Sequence, residues 1–66
     1  MLVQVCESMA NPQTRKRETM ALAEAMDELE LEQGIIVTRD EEELIQVESG
    51  EIEVMPVWRF LLNLPS

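Results

Sequence analysis

Apolar residues in this chain fall into short runs of two different periods, and the changes of period divide it into strands and helices. Leu2-Val3-Gln4-Val5-Cys6 is short, rich in β-branched residues and bounded by Asn11-Pro12, which predicts a buried or half-buried strand. Asn11 is a good helix N-cap, and Pro12 suits the first turn, where its missing N–H is no loss. The spacing then predicts a helix from about Pro12 to about Leu31. Leu22, Met26 and Leu29, with Ala21 and Ala25 beside them, recur three and four apart and make one buried stripe. Gly34 closes the following loop, and Ile35-Ile36-Val37-Thr38 is apolar enough for a strand covered on both faces. A strand, helix and strand in this order predict a parallel pair with a right-handed crossover.

The second half alternates. Asp40-Glu41-Glu42-Glu43 reads as a solvated loop. Leu44 to Glu48 and Glu51 to Met55 read as two strands of a tight hairpin, separated by Ser49-Gly50. Ile45 and Val47 share one face of their strand, as do Ile52 and Val54 of theirs, with Glu51 and Glu53 pointing the other way. Pro56 opens a short amphipathic helix, Val57 to Leu62, stopped near Asn63 and Pro65. The expected fold is α/β in the order β-α-β-β-β-α, formed by residues 1–66 as a single small domain.

Composition narrows what such a domain can do. A chain of 66 residues buries only about 60 % of the surface its unfolded form exposes, so its own core is small. Cys6 is the only cysteine and cannot close an internal disulfide, which fits a reducing, cytoplasmic setting. No basic residue precedes the apolar start and Gln4 breaks it, so no export signal is expected. The longest apolar runs, Ile35 to Val37 and Met55 to Trp58, are far short of the ~20 residues that span a bilayer. Fourteen acidic against five basic residues give a net charge of -9, which repels nucleic acid and anionic lipid alike. The same charge would suit a basic protein partner.

The chain resembles, along nearly its whole length, the C-terminal end of a family of archaeal and bacterial AAA-type P-loop ATPases. These carry a C-terminal module of PD-(D/E)XK nuclease-like fold. The strings that carry the resemblance are Leu2-Val3-Gln4-Val5-Cys6, Asn11-Pro12-x-Thr14-x-x-Arg17-Glu18, Gly34-Ile35-Ile36-Val37-Thr38, and Ile52-x-Val54-x-Pro56-Val57-Trp58-x-x-Leu61-Leu62. The phosphate loop of the ATPase part is not in the chain, which holds two glycines and no Gly-rich string ending in Lys-Ser or Lys-Thr. In nucleases of this fold an upstream aspartate and a Glu-x-Lys strand bind metal and position the attacking water. The resemblance places Gln4 where that glutamate would stand and Cys6 where the lysine would stand, and it finds no aspartate strand ahead of Met1. It therefore implies the C-terminal half of a nuclease-like module with a degenerate, non-cleaving site; no metal or cofactor is expected, although Gln4 still offers a neutral oxygen and carboxylates alone leave metal binding open.

The chain has no histidine, which excludes Ser-His-Asp and Cys-His arrangements and the common zinc sites. Cys6 in an apolar strand is expected to pack as a small hydrophobe. The run Asp40 to Glu43 lacks the ligand spacing and central glycine of a calcium loop. Glu24 and Glu28, like-charged and four apart, are expected to be exposed. Arg15, Lys16 and Arg17 sit in the first helical turns, where cations oppose the helix dipole. Either neighbouring carboxylates offset them or they hold an anion. Leu2, Val3, Trp58, Phe60 and Leu61 are the candidate interface, because aromatic anchors concentrate binding energy and the first strand is an exposed edge. The expected role is a non-catalytic structural or protein-interaction module, paired with a second copy or with an ATPase or other partner. The alternatives are a minimal metal-dependent nuclease built on Gln4, Glu7 and a carboxylate from another subunit, and an antitoxin-like acidic regulator of a basic protein.

Overall fold

The computed structural model describes residues 2–63, so the predicted stop at Pro65 lies outside the described residues. The element order is β1 (Leu2–Val5), α1 (Pro12–Glu28), β2 (Gln33–Thr38), β3 (Glu43–Val47), β4 (Gly50–Pro56) and α2 (Val57–Leu62). This is the β-α-β-β-β-α order the sequence predicts. The strands form one mixed sheet in the order β1-β2-β4-β3. β1 runs parallel to β2, β2 parallel to β4, and β3 antiparallel to β4.

One face of the sheet and one face of α1 make the core. Met9, Leu22, Met26, Ile36, Ile52 and Val54 form the buried cluster, with Leu2, Cys6, Leu31, Ile45 and Val47 packed around it. At its N-terminus the helix is capped as expected, by Asn11 Oδ1 accepting from the amides of Gln13 (2.8 Å) and Thr14 (3.3 Å).

Three expectations are corrected. The helical stripe ends at Met26, because the helix stops at Glu28 and Leu29 faces solvent. A Schellman motif performs the stop: the Leu31 amide donates to the Met26 carbonyl (2.8 Å) and the Glu30 amide to that of Asp27 (3.2 Å). The left-handed residue of this motif is Glu30, at φ 56°, and Gly34 lies beyond it as a buried residue of β2. In the hairpin, Val47 pairs with Gly50, so Glu48-Ser49 is the loop and Gly50 already belongs to β4. Gly50 is required there by close approach, since a Cβ would come within 2.0 Å of the Glu32 carbonyl oxygen.

The third correction is the acidic loop. Glu41 turns inward: its carboxylate accepts from the Met9 amide (2.5 Å) and the Ser8 hydroxyl (3.3 Å). Glu42 pairs with Arg59 on α2 at 2.5 Å, and Glu43 pairs with Arg15 on α1. The run therefore ties the β2–β3 connection to three neighbouring segments.

The molecule is a slab, with principal extents of 30 × 28 × 15 Å. Fifteen ångströms accommodates a sheet and one helical layer. Among the described residues, the face of the sheet away from α1 carries only α2, which sits at the end of β2 and β4 and has no buried residue of its own.

Candidate functional site

The residues singled out by the nuclease-like resemblance lie apart. Gln4 points to the α1 face, where its amide nitrogen donates to Glu18 Oε1 (2.9 Å) and the Glu18 carbonyl (3.4 Å). Cys6 follows β1, half-buried, with its thiol donating to the Ser8 carbonyl at 3.2 Å. Glu7 faces solvent and lies 3.6 Å from Arg39. Among the described residues, no three acidic or thiol side chains converge as a metal site would need.

The three basic residues of α1 also diverge. Arg15 forks both terminal nitrogens onto the two oxygens of Glu43 toward the β3 edge. Arg17 lies 3.7 Å from Glu18, which bonds β1. Lys16 is exposed. Hydrogen bonding from Arg15 holds the Glu43 carboxyl below its ordinary value, and the same contact raises Arg15, with partial burial opposing both. Of the two readings of this cluster, Arg15 follows the one in which a nearby carboxylate offsets the cation.

The remaining feature is the open face of the sheet. Strand alternation sends Val3 and Val5 of β1 and Ile35 of β2 to that side, opposite Leu2, Gln4 and Ile36. Val5 is 78 % exposed and Val3 42 %. At the far end a groove opens between Val5, Val37 and the α2 side chains Val57, Phe60 and Leu61. Trp58, 56 % exposed, stands on the same helix. Of the predicted interface, Val3, Phe60 and Leu61 thus border this face, whereas Leu2 packs against the core on the opposite one.

Across the face the chemistry changes. The register sets Leu44 opposite Glu53 and Gln46 opposite Glu51, so β4 presents carboxylates where β1 and β2 present valine and isoleucine, and β3 adds Leu44 and Gln46. Among the described residues the Glu51 carboxylate is met only by Gln46, at 3.5 Å, and that of Glu53 by Arg59, at 3.3 Å. Sequence reasoning recognised Glu51 and Glu53 as outward-facing but did not join them to the apolar strip. The signal was present in the opposite parities of β1 and β4, yet only the strand order sets the two side by side.

No helix of the described residues is long and apolar enough to cross a membrane. Comparison with protein families, with curated proteins and with solved structures finds no match to this chain.

Proposed function

We propose that this chain is a non-catalytic protein-interaction module whose bare sheet face is completed by another polypeptide. One observation carries the reading. Three strands, β1, β2 and β4, run parallel, and parallel sheets occur almost only with both faces covered. Here one face has a full helix and the other a single short one. β2 is written for two covers, since Ile35, Ile36 and Val37 are apolar in succession.

Two further features support it. Gln4 and Cys6 are spent on bonds within the chain, to Glu18 and Ser8, which suits a scaffold more than a metal-binding strand. The resemblance to the nuclease-like tail of P-loop ATPases gives the same picture: a fragment of a larger sheet, with its edge strand β1 and its open side made for a neighbour.

The test is a pair of polar substitutions on the strip, Val3→Ser with Val5→Ser, read by urea unfolding and by nuclease assay with magnesium. A surface kept for binding tolerates them, with a stability change within about 0.5 kcal/mol. A loss above about 2 kcal/mol would assign the strip to the chain's own core and overturn the reading. Magnesium-dependent cleavage of DNA or RNA by the unaltered chain would overturn its non-catalytic part.

A further inference from the structure

We infer that the occupant of the open face is an amphipathic helix with lysine or arginine along one flank, contributed by a basic partner protein. This rests on the interaction-module reading and adds the chemistry of the partner. A helix with its side chains is about 10 Å across and neighbouring strands are about 4.8 Å apart, so one helix covers about two strands. Laid on β1 and β2, it would set its apolar stripe on Val3, Val5 and Ile35. One flank would then overhang the β1 edge, and the other would lie over Glu51 and Glu53 of β4.

Charge complementarity separates this occupant from a second copy. The chain has five basic residues, and four of them, Arg15, Arg17, Arg39 and Arg59, already lie within 4.0 Å of one of its own carboxylates. A second copy would bring its own net charge of -9 and only Lys16 without such a contact among the described residues. Packing two open faces together would therefore set carboxylates against carboxylates or against valine, a like-charge or desolvation penalty with no cation beyond the Arg59 already shared between Glu42 and Glu53. A basic flank supplies the missing charge. The position of α2 limits the length: β2 has six residues, about 20 Å, and α2 occupies its far end, leaving room for about three helical turns.

The experiment uses the full chain and three labelled synthetic peptides of about four turns, the strip's room plus one turn of overhang. One has a leucine stripe with a lysine flank, one the same stripe with a glutamate flank, and one the lysine composition in scrambled order. Fluorescence anisotropy measures binding, and sedimentation measures the mass of the free chain. The lysine-flanked helix is expected to bind. Its affinity should vanish with Val5→Glu, fall roughly tenfold with Glu51→Gln and Glu53→Gln together, and remain unchanged with Lys16→Gln. Raising the salt should weaken it.

Equal binding of the glutamate-flanked peptide, or no effect of the double Gln variant, overturns the basic partner while leaving the apolar face as a docking surface. A dimer that Val5→Glu dissociates, with no peptide bound, overturns the inference in favour of a second copy and leaves the interaction module standing. A monomer that binds none of the peptides overturns the inference. If that monomer is also unfolded by the Val3 and Val5 serine pair, the interaction module fails with it.

Discussion

Both terminal nitrogens of Arg15, in the first turns of α1, donate to the two carboxylate oxygens of Glu43 at the start of β3. The pair clamps the helix N-terminus to the sheet edge farthest from β1. It also accounts for a cation placed where the helix dipole is unfavourable, since the carboxylate supplies the negative charge that this end of a helix prefers.

Because both partners are more than a third exposed, the clamp is worth less than about 1 kcal/mol after screening. Its pH dependence follows from the lowered Glu43 carboxyl. A depressed carboxylate contributes stability that is fully present above its unfolded value, near 4.5, and is lost as pH falls through the lower folded value. Urea unfolding of the native chain and of Glu43→Gln should therefore differ at neutral pH, and the gap should close in acid below the Glu43 titration. It should narrow in high salt as well. A gap that persists at both extremes would mean that the fork contributes through packing and not through charge.

Glu41 makes a different kind of contact. Its carboxylate bonds the amide of buried Met9 at 2.5 Å, and its own amide donates to the Thr38 hydroxyl at 3.0 Å. Glu41→Ala leaves the Met9 amide without its partner, which costs about 1 to 3 kcal/mol, whereas Glu41→Gln keeps an acceptor oxygen and should lose less. Hydrogen exchange at the Met9 amide reads this directly. Faster exchange in the alanine variant, with α1 amides unchanged, is the expected result.

Much of the fold was legible because its elements obey simple periods. The alternation in Leu2 to Cys6 and in the hairpin, the Asn11-Pro12 start and the doubly apolar Ile35 to Val37 each correspond to what the structure contains. What was not legible depends on partners distant in sequence. Glu41, Glu42 and Glu43 look alike in a row, and only the fold sends them to Met9, Arg59 and Arg15. The candidate face shows the same: Val3 and Leu61 border it and Leu2 packs toward the core, a division that follows from the strand pairing. The strand order that puts Glu51 and Glu53 beside Ile35 could not be read from local pattern.

The stripe of α1 gives a measurable case of this difference. Met26 is fully buried and Leu29, three residues on, is 59 % exposed. Met26→Ala should cost about 2 to 5 kcal/mol, enough to unfold much of so small a domain. Leu29→Ala should stay within about 0.5 kcal/mol. Comparable losses at the two positions would restore the longer stripe.

Glu30 holds the left-handed position that ends α1, at φ 56°, where side chains other than glycine and asparagine are disfavoured. Glu30→Gly removes the clash of Cβ with the backbone while keeping both Schellman bonds. The loss of chain entropy on ordering a glycine opposes this gain. The balance favours the folded state, because the relief of about 1 to 2 kcal/mol exceeds the entropic penalty of about 0.5 to 1 kcal/mol. The melting temperature should rise by a few degrees, roughly 4 °C, for a domain of this size. A contrast is available at Gly50, where φ is 157° and, in addition, the Glu32 carbonyl oxygen occupies the space of a Cβ at 2.0 Å. Gly50→Ala must push apart two backbone segments, because Glu51 donates to that same carbonyl at 3.0 Å, and should cost at least about 2 kcal/mol. Adding a side chain at one of these two positions and removing one at the other therefore move stability in opposite directions. A melting temperature lowered by Glu30→Gly would place the helix stop in the side chain of Glu30 and not in its backbone.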